Sequence, residues 1–531
     1  MKALSWRGER FFLAALLAYV ASAQAQAATQ PADILITGGT IYDGGTGKPF
    51  RGDVAISGDR IVFVGRKASM SARRTIDAKG LIVAPGFIDG HSHSEHFLDS
   101  AAPDQRQAPA YLTQGVSTVL VGIDGRGLPE LADQFDRYRR QGIGVNVASY
   151  VGFGTIRSRV IGDDDRAPNP AELATEKGLV AKGMCEGAVG LSTGLFYFPQ
   201  SYAKTDEVVE LAKAAAQRGG IYDTHQRDES DYSIGVVAST KEVLQIGTEA
   251  NIPVHISHIK VLGSDVWGKS GEIIDMINQA RARGQNVTAN QYPWLASKTP
   301  LDAALVPRWA MDGGYPAMIK RFDDPGQLPK IQKEMTDNLR RRNGPHSILL
   351  VSPGHPWTGK YLDEIAKEWG IGPVDAAIRI LRNPEKEPIV SFNMSQDDVD
   401  NFAKQPWVAM GSDGSPGHPR EAATWPYKYV DEVKTRHVVS LTDFIHGSTG
   451  LPADIYMLDH RGYLKPGYYA DVVVFNPDTY APRADYIHPD LLSTGIVELV
   501  VNGKFAVDEQ KMTQVLSGRP LAHIPTPGTC T

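Results

Sequence analysis

The sequence predicts an α/β protein built on a (β/α)8 barrel, joined to a small β-domain assembled from both ends of the chain. Three observations predict it. Eight apolar, β-branched segments alternate with helical stretches through the middle of the 531 residues. Short β-hairpin patterns occupy the two ends. Histidines and aspartates recur at one end of successive predicted strands, where barrels of this class carry their chemistry.

Residues 1–27 stand outside the fold. Lys2, Arg7 and Arg10 precede an apolar stretch from Phe11 to about Ala21, and "AQA" triplets follow. That is the pattern of a secretory signal peptide cleaved near Ala25 or Ala27. Its apolar part is too short for a comfortable membrane span, and no other stretch is long and apolar enough. The expected product is exported, to the periplasm or the medium, with no membrane span after cleavage.

Residues 28–84 ("DILITGGTIYDG", "GDVAISGDRIVFVG") and 447–520 ("ADVVVFNPD", "GIVELVVNGKFAVDEQK") read as hairpins of one composite domain. Residues 85–446 hold the barrel. Its strands are expected in "GFIDGHSH", "STVLVGID", "VNVASYVG", "AVGLSTGL", "GIYDTHQR", "PVHISHIK", "NVTANQYP" and "WVAMGSD", nearly continuously apolar as strands buried on both faces should be. Helices such as "PELADQFDRYRRQG" and "KTDEVVELAKAAAQRGG" end in glycine, a C-cap signal. More than a hundred residues separate the seventh and eighth strands, far more than one helix needs. The excess, placed at about 297–350, predicts an inserted lid over the barrel mouth.

Composition narrows the function. A formal charge of −6 without a basic stripe excludes nucleic acid as a partner. Cys185 and Cys530 are the only cysteines, so zinc-finger spacing is impossible and any metal site must use histidine and carboxylate. Cys530 lies in a tail expected to be loose, and no disulfide is expected.

The candidate site follows from the strand ends. The first strand ends in His91 and His93, spaced by two and so on one face. The second ends in Asp124, the fifth in His225, the sixth in His258 and the eighth in Asp413. Imidazole and carboxylate suit zinc, and this set has enough ligands for one or two ions. Such a centre makes hydroxide available near neutral pH, and Asp413 would move the proton from water to a leaving nitrogen. That chemistry hydrolyses an amide. His255, three residues before His258, faces the other way on a regular strand and is read as structural.

With these residues in hand, the chain resembles the amidohydrolase superfamily in its D-aminoacylase (N-acyl-D-amino-acid deacylase) branch, from about Ala32 to about Asp508. The likeness rests on "APGFIDGHSHSE", "EGAVGLSTGLFYFPQSYA", "YDTHQRDES", "VHISHIKVLG", "GSDGSPGHPREAATWP" and "STGLPADIYMLDHRGYLKPGYYADVVVFNPDT". The resemblance implies that the terminal domain is a composite β-sandwich. It places His91, His93 and Asp413 on the weaker or catalytic metal side and His225 and His258 at the tighter zinc. It puts Tyr197, Arg227, Lys260, Tyr292 and Arg420 against the substrate's carboxylate or carbonyl. Three departures stand out. "GIDG" puts Asp124 where members carry a ligating cysteine, "GFGTIR" has Phe153 where relatives often show histidine, and "EAATWPYKY" lacks an arginine that relatives commonly have.

The expected function is zinc-dependent hydrolysis of N-acyl amino acids, with D-configured substrates favoured by the resemblance. A dipeptidase, an N-acyl-L-amino-acid amidohydrolase and a catalytically silent ligand-binding relative remain as alternatives. The expected partner is a small N-acyl amino acid or dipeptide-like molecule. Oligomeric state is not legible.

Overall fold

Strands and helices alternate from residue 87 to residue 410 in the computed structural model, which describes residues 31–383 and 385–530. The leader lies outside the described residues.

Five strands come first: β1 (Ala32–Ile41), β2 (Phe50–Ser57), β3 (Arg60–Gly65), β4 (Ala72–Asp77) and β5 (Ile82–Pro85). The barrel strands follow as β6 (Phe87–Asp89), β7 (Val116–Val121), β8 (Asn146–Ser149) with its short continuation β9 (Val151–Gly152), β10 (Gly190–Gly194), β11 (Ile221–His225), β12 (Val254–Ile256) and β13 (Val287–Gln291). Three insert strands, β14 (Ala296–Pro300), β15 (Ile348–Leu350) and β16 (Pro388–Phe392), precede the last barrel strand, β17 (Val408–Met410). The chain closes with β18 (Val472–Phe475), β19 (Ile496–Val501), β20 (Lys504–Asp508) and β21 (Lys511–Met512).

Each of the eight expected segments contains a barrel strand, and neighbours pair in parallel in two runs: β6 with β7 and β7 with β8, then β9 with β10, β10 with β11, β11 with β12, β12 with β13 and β13 with β17. Val189 N donates to Ser149 O at 3.0 Å across the β8–β10 step. Gly90 N to Met410 O (3.3 Å) and Asp413 N to His91 O (2.8 Å) join β17 back to β6. Strands β7, β10 and β11 are buried at every residue, the polar Ser192, Thr193, Asp223 and His225 included, which explains why they show no apolar–polar alternation.

The two chain ends meet where β5 runs antiparallel to β18, Val83 opposite Val474. The strands from both ends form one nine-stranded sheet, with Ile34, Ile56, Ile76, Val83, Val472 and Val500 in a core of their own. The insert is a third unit. β14, β15 and β16 pair antiparallel, and Leu301, Ile331, Ile348, Leu362 and Ile389 form a separate core. It runs past residue 350 because β16 returns to pair with β14, a long-range contact that no local pattern announces.

One expectation is overturned. Cys185 and Cys530 are joined in a disulfide. Asn169 caps the helix that carries Cys185, accepting from Ala171 N and Glu172 N, and that helix ends at Cys185 under the barrel. The C-terminal tail is not loose. It laces across the N-terminal ends of the barrel strands, with Gly518 N bonded to Ile143 O, Leu521 N to Val147 O and His523 N to Gly187 O at 2.7–2.9 Å. Those bonds bring Cys530 to Cys185. Such a link stabilises by roughly 2–5 kcal/mol. Cys185→Ser is therefore expected to lower the melting temperature by about 2–5 °C for a chain this long while leaving catalysis intact, because the link lies on the face away from the strand C-termini. Calorimetry beside an activity assay checks both outcomes.

Candidate active site

The strand ends are clipped so that polar side chains face one centre. The buried Asp89 carboxylate accepts from His91 N (3.0 Å), Ser412 N (2.9 Å) and Ser412 Oγ (2.5 Å), tying the end of β6 to the end of β17. Burial pushes Asp89 up to about 7, against the pull of these donors. His93 N donates to Gly414 O at 3.0 Å. After β12, His258 N donates to Asn290 Oδ1 at 2.5 Å. Asp124, His258 and Asp413 take left-handed backbone conformations, with φ of +55°, +35° and +49°. Non-glycine residues adopt this region at a cost of order 1 kcal/mol or more, and such strain gathers at functional sites. Here it turns each side chain inward from its strand end.

Six side chains converge. His91, His93, Asp124, His225, His258 and Asp413 form three overlapping triads whose ligand atoms lie within 4.8 Å of one another. Asp124 is central. Its Oδ1 lies 3.6 Å from His91 Nε2, 3.8 Å from His225 Nδ1 and 3.7 Å from His258 Nε2, and its Oδ2 lies 3.6 Å from His93 Nε2. Asp413 Oδ1 sits 3.8 Å from His91 Nε2 and 3.2 Å from His93 Nε2. Most of these separations are too long for hydrogen bonds. They match the edge of a tetrahedron with 2.0–2.2 Å metal bonds, about 3.3–3.6 Å. Among the described residues, buried His91 Nε2 and Asp124 Oδ1 have no hydrogen-bond partner, a costly state that a cation between them relieves.

Burial and neighbouring charges shift several of these groups strongly. Burial opposes ionisation of Asp124 and Asp413, yet the histidines around Asp124, and Arg420 with His258 around Asp413, hold both well below the carboxylate range. Burial drives His225 down to about 4. At His258, burial and the Lys260 charge oppose protonation, but Asp413, Asp124 and Glu229 prevail and lift it to about 9. Two carboxylates and four imidazoles in one buried centre form a donor set for a divalent ion.

Residues 311–507 match the model of the amidohydrolase family. Across 527 aligned residues, 94% of this chain and 99% of the relative, the protein is 33% identical to a D-aminoacylase of Alcaligenes xylosoxydans xylosoxydans. The chain belongs to the amidohydrolase family, in its D-aminoacylase branch. A solved D-aminoacylase with a binuclear metal centre superposes with a TM-score of 0.79 at 30% identity, covering 93% of this chain and 100% of that one. The same figures describe an N-acyl-D-glutamate deacylase of Bordetella bronchiseptica, solved with zinc and a phosphonate inhibitor that mimics the tetrahedral intermediate.

Around the six-residue centre of this amidohydrolase stands a ring of supporting groups. Arg420 Nη2 pairs with Asp413 Oδ2 at 2.9 Å, and its buried Nε and Nη1 have no partner among the described residues. Its guanidinium lies 4.9 Å from the Tyr292 ring centre. His418 Nδ1 accepts from Arg420 N at 3.1 Å, and its Nε2 lies 3.2 Å from Ala296 O, which steadies the start of the helix Arg420–Lys428. The Tyr197 ring packs 4.7 Å from that of His225. Lys260 Nζ approaches His258 Nδ1 at 2.5 Å and Glu229 Oε1 at 2.8 Å. Arg227 is not brought to the centre. Its guanidinium is held by Glu242 at 2.8 Å and by the Ser201 carbonyl, and it lines a neighbouring cavity.

Sequence reading missed Glu229. This buried carboxylate faces the outer nitrogens of two histidines at once, 3.5 Å from His225 Nε2 and 3.3 Å from His258 Nδ1. A weak signal exists in hindsight: Glu229 follows His225 by four residues in "HQRDES". His255, by contrast, is structural. Its Nε2 lies 2.9 Å from Tyr456 Oη and 2.9 Å from Asn290 Nδ2, outside the cluster.

Proposed function

We propose that this chain is a zinc-dependent hydrolase of N-acyl-D-amino acids, cleaving the acyl amide to a carboxylate and a free amino acid. The observation that carries the reading is the convergence of four histidines and two aspartates at ligand-polyhedron spacing around buried, partnerless His91 Nε2 and Asp124 Oδ1. His91, His93, Asp124, His225, His258 and Asp413 would hold the metal. Zinc bound there supplies Lewis acidity, which polarises the amide carbonyl and lowers the pKa of water.

The chain's own residues do the rest. Asp413, kept ionised by Arg420, accepts the proton of the attacking water at Oδ1 and passes it to the amide nitrogen as the C–N bond breaks. The open edge of Arg420, its Nε and Nη1, receives the substrate's α-carboxylate with the planar match of guanidinium to carboxylate. Lys260 and Tyr292 lie beside that edge. Tyr197 covers the His225 side and excludes water. A panel of N-acyl D- and L-amino acids, assayed with zinc content measured in parallel, tests the reading. Bound zinc with no turnover across the panel would defeat it.

Glu229 acts through its neighbours. A carboxylate on the outer nitrogen of a ligating histidine fixes tautomer and orientation. Glu229→Gln keeps the shape and removes the charge, and is expected to weaken zinc binding about 10–100-fold, read by chelator competition independently of turnover.

The disulfide also supports export, since such links persist in oxidising compartments. Among the described residues no helix is long and apolar enough to cross a membrane. Fractionation of the producing cells tests the location: retention in the cytoplasm with both thiols free would refute it.

A further inference from the structure

The cavity beside the metal centre carries more positive charge than its own walls neutralise. His225 and Asp413 bound it on one side, and Lys298 and Arg342 from the insert on another. The other cations near it are matched, Lys260 by Glu229 and Arg420 by Asp413. Lys298 and Arg342 are not: among the described residues, neither has a carboxylate within 4.0 Å. Their polar contacts are neutral. Lys298 Nζ donates to Ser415 Oγ at 2.9 Å, Arg342 Nε donates to Tyr232 Oη at 2.8 Å, and Arg342 Nη1 reaches Ser297 Oγ at 3.5 Å. Glu421, a carboxylate whose field reaches Lys298, is engaged by His96 at 3.2 Å.

Charge of this kind is expensive to keep. Arg342 is 2% exposed, and burial together with the Arg420 charge pushes Lys298 down to about 8. A substrate with a neutral side chain would leave both cations unmatched, and apolar residues would line such a pocket at lower cost. The single α-carboxylate of an N-acyl amino acid already has a receiver in the open edge of Arg420. Two further cations in the adjoining cavity, Lys298 within the field of Arg420, call for a second anionic group on the ligand.

Resting on the hydrolase reading above, we propose that the substrate class is N-acyl-D-amino acids with an acidic side chain, whose second carboxylate pairs with Lys298 and Arg342. The insert then sets specificity, because both residues belong to it.

The test compares the zinc-loaded protein on N-acetyl-D-glutamate and on its neutral isostere N-acetyl-D-glutamine, with N-acetyl-D-leucine as a third substrate. The expected kcat/KM is at least about tenfold higher for the glutamate than for the glutamine derivative, a site built for a polar group rejecting the analogue that leaves its donors unpaired. In Lys298→Met and in Arg342→Met that ratio should fall towards one. Should Arg342→Met fail to fold, having lost its bonds to Tyr232 and Ser297, Lys298→Met alone decides. A wild-type ratio of one or below, or a ratio unmoved by substitution, overturns the proposal and leaves the hydrolase reading standing. Absence of turnover on all three substrates defeats the hydrolase reading instead. Calorimetric binding of free D-glutamate against D-glutamine then tests the cationic pocket by itself, tighter binding of glutamate supporting it and equal binding overturning it.

Discussion

Asp413→Asn is expected to lower kcat by about 10³-fold or more while the protein keeps its zinc. General acid–base groups contribute typically about 10²–10⁴-fold, and Asp413 serves in both directions of proton transfer. Asparagine has the same shape and tolerates the left-handed φ of +49° better than most other non-glycine residues, so the backbone at this strand end should stay in place. His91, His93, Asp124, His225 and His258 remain to hold metal. The amide, however, cannot take a proton from water at neutral pH. Turnover assays beside elemental analysis separate the two effects. Undiminished turnover would remove Asp413 from the mechanism, and loss of metal together with activity would make it chiefly a ligand.

Asp124→Ala is expected to strip metal from the site and abolish turnover with it. Asp124 approaches all four histidines, at 3.6–3.8 Å, so its loss opens both sides of the centre. The affinity drop should exceed the roughly 10–100-fold that loss of an outer-sphere partner costs. The φ of +55° makes alanine strained here, and a drop in stability alone could mimic the result. Asp124→Cys carries the same strain but supplies a thiolate with a zinc bond of about 2.3 Å. Zinc retained by the cysteine variant and lost by the alanine variant identifies position 124 as a ligand. Equal metal content in both variants and the parent would reduce Asp124 to an ordinary turn residue.

Much of this molecule is legible without coordinates. The barrel strands announce themselves as short segments without apolar–polar alternation, the local mark of strands buried on both faces as β7, β10 and β11 are. The convergent set is legible because the fold class dictates that strand C-terminal ends share one mouth, so His91, Asp124, His225, His258 and Asp413 can be collected by position alone. Groups that act from outside the strand ends are harder to find. Glu229 and His418 lie in loops, and nothing in their neighbours says which way they face. Arg227 sits two residues after His225, yet Glu242, on the following helix, claims its guanidinium. Lys298 and Arg342 belong to an insert whose pairing of β14 with β16 is invisible in local pattern, so nothing nearby in the chain places them beside the strand-end cluster.

By itself, then, the sequence determined the barrel, the six metal-competent side chains and the class of reaction, because strand burial and strand-end placement follow from short stretches of chain. Tertiary structure alone decided the Cys185–Cys530 link, the sharing of Glu229 between two histidines, the diversion of Arg227 and the cationic wall of the cavity. Each of these depends on a partner brought close by folding or on the direction a loop side chain takes, and neither is written in the residues on either side.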